Sequence, residues 1–391
     1  MNTPNLSPRL GSVGRSVFSQ LLSRLSQYQG KLYPLHVGDT YMRPAIALDD
    51  SEILAEQTSL VHRYTPVRGA PSTVEAARSW LSERQGVEVS PDEVIITGGG
   101  TAGLSALLAA LLSPGDELLL LAPYWPLMGG AARLHGARPI AVPIFQEGLS
   151  IDQAIDRLEQ HYTDRARALY INTPNNPTGE VLSTEWVEAM VRWAERRGLW
   201  VISDEVYDLF NYTGEHCYAR TLDPNRVISA FSMSKAFGMA GYRCGILQGP
   251  PDVLTATERV LTHALYSAAT PGQLAARAAL GPRGLAWAAH AAQEYQRVGE
   301  ACARRLGVTA PQGSTFLFLD VGEAVGPGGR YHMEDGGVSA LLETCVDHGL
   351  LLAPGKAFGP YPQHVRLCFT SADPNTVLEG VEILVDILRS A

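Results

Sequence analysis

From about residue 92 to residue 249 the chain alternates short apolar runs with longer amphipathic stretches, and this alternation restricts the fold more than any other feature. The pattern predicts strands at 94–97, 117–121, 138–142, 168–172, 199–203, 227–231 and 243–247. Helical spacing fills 101–112, the region around 125–135 and 184–197. Strands alternating with helices form βαβ units, and repeated units of that kind build a mostly parallel, doubly wound sheet. After Pro251 the pattern changes. Residues 253–280 and 284–306 are alanine-rich and favour helix. A strand at 316–321, a helix at 338–348, strands near 350–353 and at 365–369, and a terminal helix from Pro374 follow. The expected architecture is α/β: a large domain at 46–280 and a smaller α+β domain at 281–391, with 1–45 as an N-terminal arm that completes the small domain.

Composition narrows the function classes. A chain of 391 residues with 46% hydrophobic and 18% charged residues can bury a sizeable core, and wholesale disorder is excluded. Acidic residues exceed basic ones by 40 to 31, so there is no broad electrostatic reason to seek nucleic acid or an anionic membrane. The longest apolar runs, 104–112 and 118–122, fall well short of a membrane span. Residues 1–11 are polar, with Pro4 and Pro8 and no secretory apolar region. The five cysteines are scattered without a Cys-x-x-Cys pair, which argues against a disulfide framework or a metal site and fits the reducing cytoplasm. Only Lys31, Lys235 and Lys356 among the 31 basic side chains are lysines, so chemistry that needs an amine has three candidates.

Gly98-Gly99-Gly100-Thr101-Ala102-Gly103 follows a predicted strand and opens a predicted helix, a formal match to G-x-G-x-x-G. A nicotinamide-binding fold also needs an acid at the end of the next strand. Here that strand ends in Ala122-Pro123-Tyr124, and Asp116 precedes it, so this reading fails. What remains is a helix N-terminus with bare amides, suited to a phosphate. Further along, Lys235 ends a predicted strand in Ser232-Met233-Ser234-Lys235 and is followed by Gly241 and Arg243. A lysine beside hydroxyls and an arginine suits a Schiff-base amine with an anion held nearby. Asp204 closes the strand at 199–203, where an acid at a parallel strand's carboxyl end faces the ligand crevice. Asn175-Asn176-Pro177-Thr178-Gly179 follows another strand, and Pro123-Tyr124-Trp125 ends a third. Singly, each has a local explanation as a turn, a helix cap or core. Together, in this order and at strand ends, they do not.

The set resembles the fold-type I pyridoxal-phosphate enzymes, specifically the class I/II aminotransferase family, from about Leu35 to Thr370. The resemblance implies pyridoxal 5'-phosphate as cofactor. Lys235 would hold it as an internal aldimine and then move the proton at the substrate's Cα, and Asp204 would pair with the pyridinium nitrogen. Asn176 and Tyr207 would contact the phenolic oxygen, and Trp125 the ring face. The phosphate would rest on the amides of Gly100, Thr101 and Ala102 with Ser232, Ser234 and Arg243. Tyr64 is similar to the tyrosine that reaches the phosphate of a neighbouring subunit, which implies a homodimer with shared active sites. Arg366 would clamp the substrate's α-carboxylate, with Gly38 as a backbone contact. The family often has proline two residues after that glycine, whereas this chain reads Gly38-Asp39-Thr40, which leaves the side-chain identity of the substrate open.

The expected activity is ping-pong transfer of an amino group between an α-amino acid and a 2-oxo acid. The same Lys235 and Asp204 would serve a lyase or an oxygen-using oxidase or hydroxylase. An aminotransferase-like transcription regulator ranks far behind. About 35 residues precede Leu35, short for a DNA-binding domain, and Arg15 and Arg24 form no basic stripe.

Overall fold

The computed structural model describes residues 11, 21–47, 61–214, 216–334 and 337–389. Residues 1–10 and 12–20 of the expected N-terminal arm, Arg15 among them, and 48–60 of the expected large domain lie outside the described residues.

Seven strands form one sheet: β1 (Val94–Thr97), β2 (Glu117–Ala122), β3 (Arg138–Pro143), β4 (Ala166–Asn172), β5 (Trp200–Asp204), β6 (Val227–Ser232) and β7 (Gly245–Gln248). Their spatial order is β1-β7-β6-β5-β4-β2-β3. The pairs β2–β3, β2–β4, β4–β5 and β5–β6 are parallel, and β7 alone runs against both its neighbours. The two-residue period of a strand divides the core between the two faces. Leu118, Leu120, Ala168 and Tyr170 pack with the helices Gly100–Leu111, Pro126–Leu134 and Pro251–Ala264. Their neighbours Leu119, Leu121, Leu169 and Ile171 pack with Ile151–His161 and Thr184–Arg196. Fully burying each of these leucines and Ile171 contributes about 1.5–3 kcal/mol, so a one-residue slip in register is strongly opposed.

A second, antiparallel sheet has the order β8-β10-β9, with β8 (Phe316–Asp320), β9 (Ala353–Pro354) and β10 (His364–Cys368). The helices Pro282–Leu306, Ser339–Asp347 and Pro374–Arg389 share its core. The segment from Tyr33 joins this unit: Tyr33 bridges Leu350, and Cys368 N donates to Leu35 O at 2.8 Å. That pairing brings Gly38 to the edge of the large sheet.

The structure differs from the sequence pattern in five places. The single helix expected over 253–280 is two, Pro251–Ala264 and Thr270–Ala279. Tyr266 between them has φ 69°, a left-handed conformation that ends a helix, and Pro271 starts the next one. Helices Pro71–Gln85 and Ile151–His161 were not anticipated, although Ser150 and Gln153 form a capping box at the second. The strand expected from 243 begins at Gly245, because Arg243 adopts φ 51°. The strand expected near 350–353 is only Ala353–Pro354, since Leu350 pairs with Tyr33 instead.

Gly245 lies where β7 closes against the glycine-rich loop. A Cβ there would sit 2.7 Å from Gly100 N, 2.8 Å from Gly99 C and 3.0 Å from Phe231 O. All three are backbone atoms that cannot swing aside. Gly245→Ala is therefore expected to lower stability by ~2 kcal/mol, in the range for overpacking, read as a lower urea midpoint of the purified protein. An unchanged midpoint would show that the loop yields freely.

Candidate active site

A cavity of about 230 Å³ opens at the carboxyl edge of the parallel strands. It gathers Gly38, Gly100, Thr101, Trp125, Asn176, Asp204, Tyr207, Ser232, Ser234, Lys235, Arg243 and Arg366 on one wall system. Two expected residues are not on that lining. Ala102 sits one position further into the helix, and Tyr64 is 86% exposed with its ring edge-on to Tyr266 at 5.0 Å.

One end of the cavity is built for an anion. Gly99 precedes the helix Gly100–Leu111 with φ 87° and no side-chain cap, so the first amides of the helix stay free to donate. A Cβ on Gly99 would lie 2.6 Å from Arg243 Nη2, so only glycine leaves room for the guanidinium beside the loop. The left-handed turn at Arg243, costly for a residue with a Cβ, aims that side chain back across the strand ends. Ser232 Oγ caps the short helix Met233–Ala236 by accepting from Ser234 N at 3.1 Å, and Arg243 Nη1 reaches Ser234 Oγ at 3.5 Å.

Lys235 lies on that short helix, and its Nζ donates to Gly38 O. Burial pulls its pKa below the usual lysine value; Arg366 and Arg243 act the same way, while Cys368 and Asp39 oppose the fall. Across the cavity Asp204 ends β5. Burial raises its carboxyl to about 6, against the opposing hydrogen bonds from the Tyr170 hydroxyl and the Val206 amide. Those bonds measure 2.5 Å to Oδ2 and 3.4 Å to Oδ1. A buried acid with no cation beside it among the described residues is suited to a positively charged ligand atom.

The third region belongs to Arg366 on β10. Its Nη1 donates to Asn176 Oδ1 at 2.9 Å and its Nη2 to His36 O at 2.8 Å. The guanidinium lies 4.2 Å from the Phe316 ring centroid and 4.7 Å from that of Phe358. Its Nε is buried and has no hydrogen-bond partner among the described residues. Burial lowers its pKa to about 10, which leaves it charged at neutral pH. Burial also pushes the Tyr207 hydroxyl upward, so it remains a donor.

Sequence reasoning missed Asn172, Tyr170 and Phe316. Asn172 Nδ2 donates to Asp204 O at 2.9 Å, and its Oδ1 accepts from Asn176 N at 2.8 Å, so it ties the end of β5 to the turn that carries Asn176. Its place at a strand end was a usable signal. Tyr170 sits inside an apolar strand and Phe316 opens another, so both read as core.

The residues present fit pyridoxal phosphate: an anion cradle, an amine with depressed basicity, and a buried carboxylate opposite them. Comparison with known proteins agrees. The model of the family "Aminotransferase class I and II" matches residues 33–384. The probable aspartate/prephenate aminotransferase of Thermus aquaticus is 32% identical, over 80% of this chain and 80% of that protein. The aspartate aminotransferase of Streptomyces avermitilis is 30% identical, over 84% of this chain and 82% of its own length. The crystal structure of Thermotoga maritima aspartate aminotransferase superposes with a TM-score of 0.86 at 26% identity, covering 98% of this chain and 100% of that one.

The buried acid has a measurable cost. Because the folded Asp204 titrates above its ordinary 3.8, the cofactor-free fold loses stability as pH rises through about 6, by ~3 kcal/mol in all. Asp204→Asn removes this term. Without cofactor, the variant is expected to melt above the parent at pH 8, with the gap closing toward pH 5. Equal melting temperatures at pH 8 would contradict the assignment.

Proposed function

The chain belongs to the aminotransferase class I and II family, and from that membership we propose that Lys235, Asp204 and Arg366 divide the work of amino transfer in this protein. The enzyme is a pyridoxal-phosphate-dependent aminotransferase that exchanges an amino group between an α-amino acid and a 2-oxo acid. The observation that carries the division of labour is the convergence of one amine, one buried acid and one buried guanidinium on a single cavity.

When bound, the cofactor supplies an electron sink for the electron pair left as the substrate's Cα proton departs. The chain's own residues do the rest. Lys235 is the lysine of the cavity lining, whereas Lys31 pairs with Glu379 at an exposed position and Lys356 lies in the segment Gly355–Phe358. Its depressed pKa gives Nζ a neutral fraction able to take up the Cα proton and return it. Asp204 offers an ionised carboxylate to the ring nitrogen. Asn176, whose Oδ1 is already committed to Arg366, keeps its amide nitrogen for the phenolic oxygen, and the Tyr207 hydroxyl donates beside it. Ser232, Ser234, Arg243 and the amides of Gly100, Thr101 and Ala102 hold the phosphate.

Arg366 clamps the α-carboxylate. The flanking rings fix the plane of the guanidinium before substrate arrives, which lowers the entropy lost on binding. Gly38 stands beside it because a Cβ would lie 2.7 Å from Phe316 Cζ. We further propose a homodimer in which the exposed Tyr64 reaches the phosphate of a partner subunit, supported by a phenol standing outside the cavity of its own chain. The residues 46–280 then form the cofactor domain, and 1–45 with 281–391 the smaller one. All five cysteines are unpaired, which supports the reducing cytoplasm as the enzyme's location.

The direct test is a single-turnover reaction: amino acids added to the holoenzyme should abolish the visible absorbance of the lysine-bound cofactor, and a 2-oxo acid should restore it. Absence of both changes across a panel of amino acids would overturn the reading. Lys235→Ala should reduce turnover to background while cofactor remains bound without a covalent link. Arg366→Lys, which loses the two-pronged geometry, should raise the amino-acid KM about 10–100-fold, as expected for a charged hydrogen bond worth 1.5–3 kcal/mol.

A further inference from the structure

Asp204 receives one strong hydrogen bond from a side chain that the mechanism above does not use. The Tyr170 hydroxyl donates to Asp204 Oδ2 at 2.5 Å, and both side chains are buried. Tyr170 lies on β4, where the register pairs it with Ile202 and pairs Asn172 with Asp204. Its ring fills the core beneath the cavity with Leu120, Ala122 and Ala230, and its hydroxyl reaches up to the end of the adjacent strand. A phenylalanine would fill nearly the same volume, so packing alone gives no reason for the oxygen. Burial raises the hydroxyl's pKa well above that of an ordinary tyrosine, which keeps it a donor. A second donor to the carboxylate, Val206 N, is long at 3.4 Å and bonds the other oxygen.

We propose that Tyr170 is a positioning residue for amino transfer: its hydroxyl fixes Asp204 Oδ2 and keeps that carboxylate ionised toward the ring nitrogen of the cofactor. The inference rests on the assignment of Asp204 as the partner of that nitrogen. Burial favours the neutral acid, and hydrogen bonds to the ionised form oppose it. A charge-assisted O–H···O⁻ bond of this length is among the stronger ones available. Without it Asp204 becomes the stronger base. The proton shared between ring nitrogen and carboxylate then shifts toward Asp204, and the ring loses the positive charge that makes it an effective electron acceptor.

The test uses the holoenzyme reconstituted with pyridoxal phosphate labelled with nitrogen-15 in the ring. In Tyr170→Phe the ring-nitrogen signal should move toward that of unprotonated pyridine, the Kd for the cofactor should rise about tenfold, and kcat should fall with the amino-acid KM little changed. A fold that melts lower but leaves the ring signal and cofactor Kd where they were would make Tyr170 a core residue only, and would overturn the proposal. Asp204→Asn, measured alongside, separates the two levels of the argument. If it moves the signal and Y170F does not, only the role of Tyr170 falls. If neither moves it, the assignment of Asp204 falls first and this inference with it. Should Y170F fail to fold, 4-aminophenylalanine at position 170, a weaker donor of similar length, must move the signal in the same direction by a smaller amount. An unmoved signal there also overturns the proposal.

Discussion

Strands that run parallel place all their carboxyl ends on one edge of the sheet, and the whole site depends on that constraint. β2 delivers Trp125 to that edge, β4 delivers Asn172 and the turn with Asn176, β5 ends in Asp204, and β6 leads directly into Ser232 and Lys235. The antiparallel β7 serves the same end by the opposite route. Because it runs against β6, its amino end lies at the shared edge, and Arg243 just before it joins the anion cradle. β1 runs against β7 in turn, so its carboxyl end brings the Gly98–Gly100 loop to the same place. One reversed strand thus contributes a side chain at the point where a parallel strand would have contributed none.

The chemistry then follows from what burial does to ionisable groups at such an edge. Desolvation lowers the pKa of Lys235 and of Arg366 and raises that of Asp204, in each case disfavouring the charged form. The three outcomes serve different needs. A weakened lysine is a usable base. An arginine lowered only to about 10 keeps its charge, because the group starts so far above neutrality. An acid near 6 is poised to be ionised by any cation that arrives. The same environment therefore produces a base, a permanent anion receptor and a conditional anion from three residue types, and the site is a place where the fold forgoes stability in exchange for reactivity.

Much of this was legible in the sequence because strand ends are legible. The alternation over 92–249 placed the strands, and the proposed site residues Asp204, Asn176, Lys235 and Trp125 stand where those strands stop, so local pattern and global placement coincide. Tyr170 was illegible for a physical reason. It lies mid-strand in an apolar run, and only the register of β4 against β5 shows that its hydroxyl meets Asp204. The clamp around Arg366 was hidden similarly, because Phe316 and Phe358 come from separate elements that converge only when the small sheet and its connecting segments fold. The break between the helices Pro251–Ala264 and Thr270–Ala279 was missed because alanine-rich composition masks a turn that depends on the left-handed backbone of one tyrosine.

The two sheets meet through hydrogen bonds whose acceptors and donors are themselves site residues. Arg366 on the small sheet bonds Asn176 in the turn after β4, and Lys235 on the short helix after β6 bonds Gly38 on the segment that pairs with the small sheet. Both Nη atoms of Arg366 and the Nζ of Lys235 thus already donate to protein atoms. In the proposed roles, a substrate carboxylate at Arg366 and a ligand at Lys235 would exchange for these contacts, so the net gain on binding would be the difference between two sets of hydrogen bonds and not the full strength of either. That exchange suits an enzyme that must release one product and accept a second substrate in the same pocket: ground-state affinity stays moderate, and the guanidinium and the amine keep their orientation through both halves of the reaction.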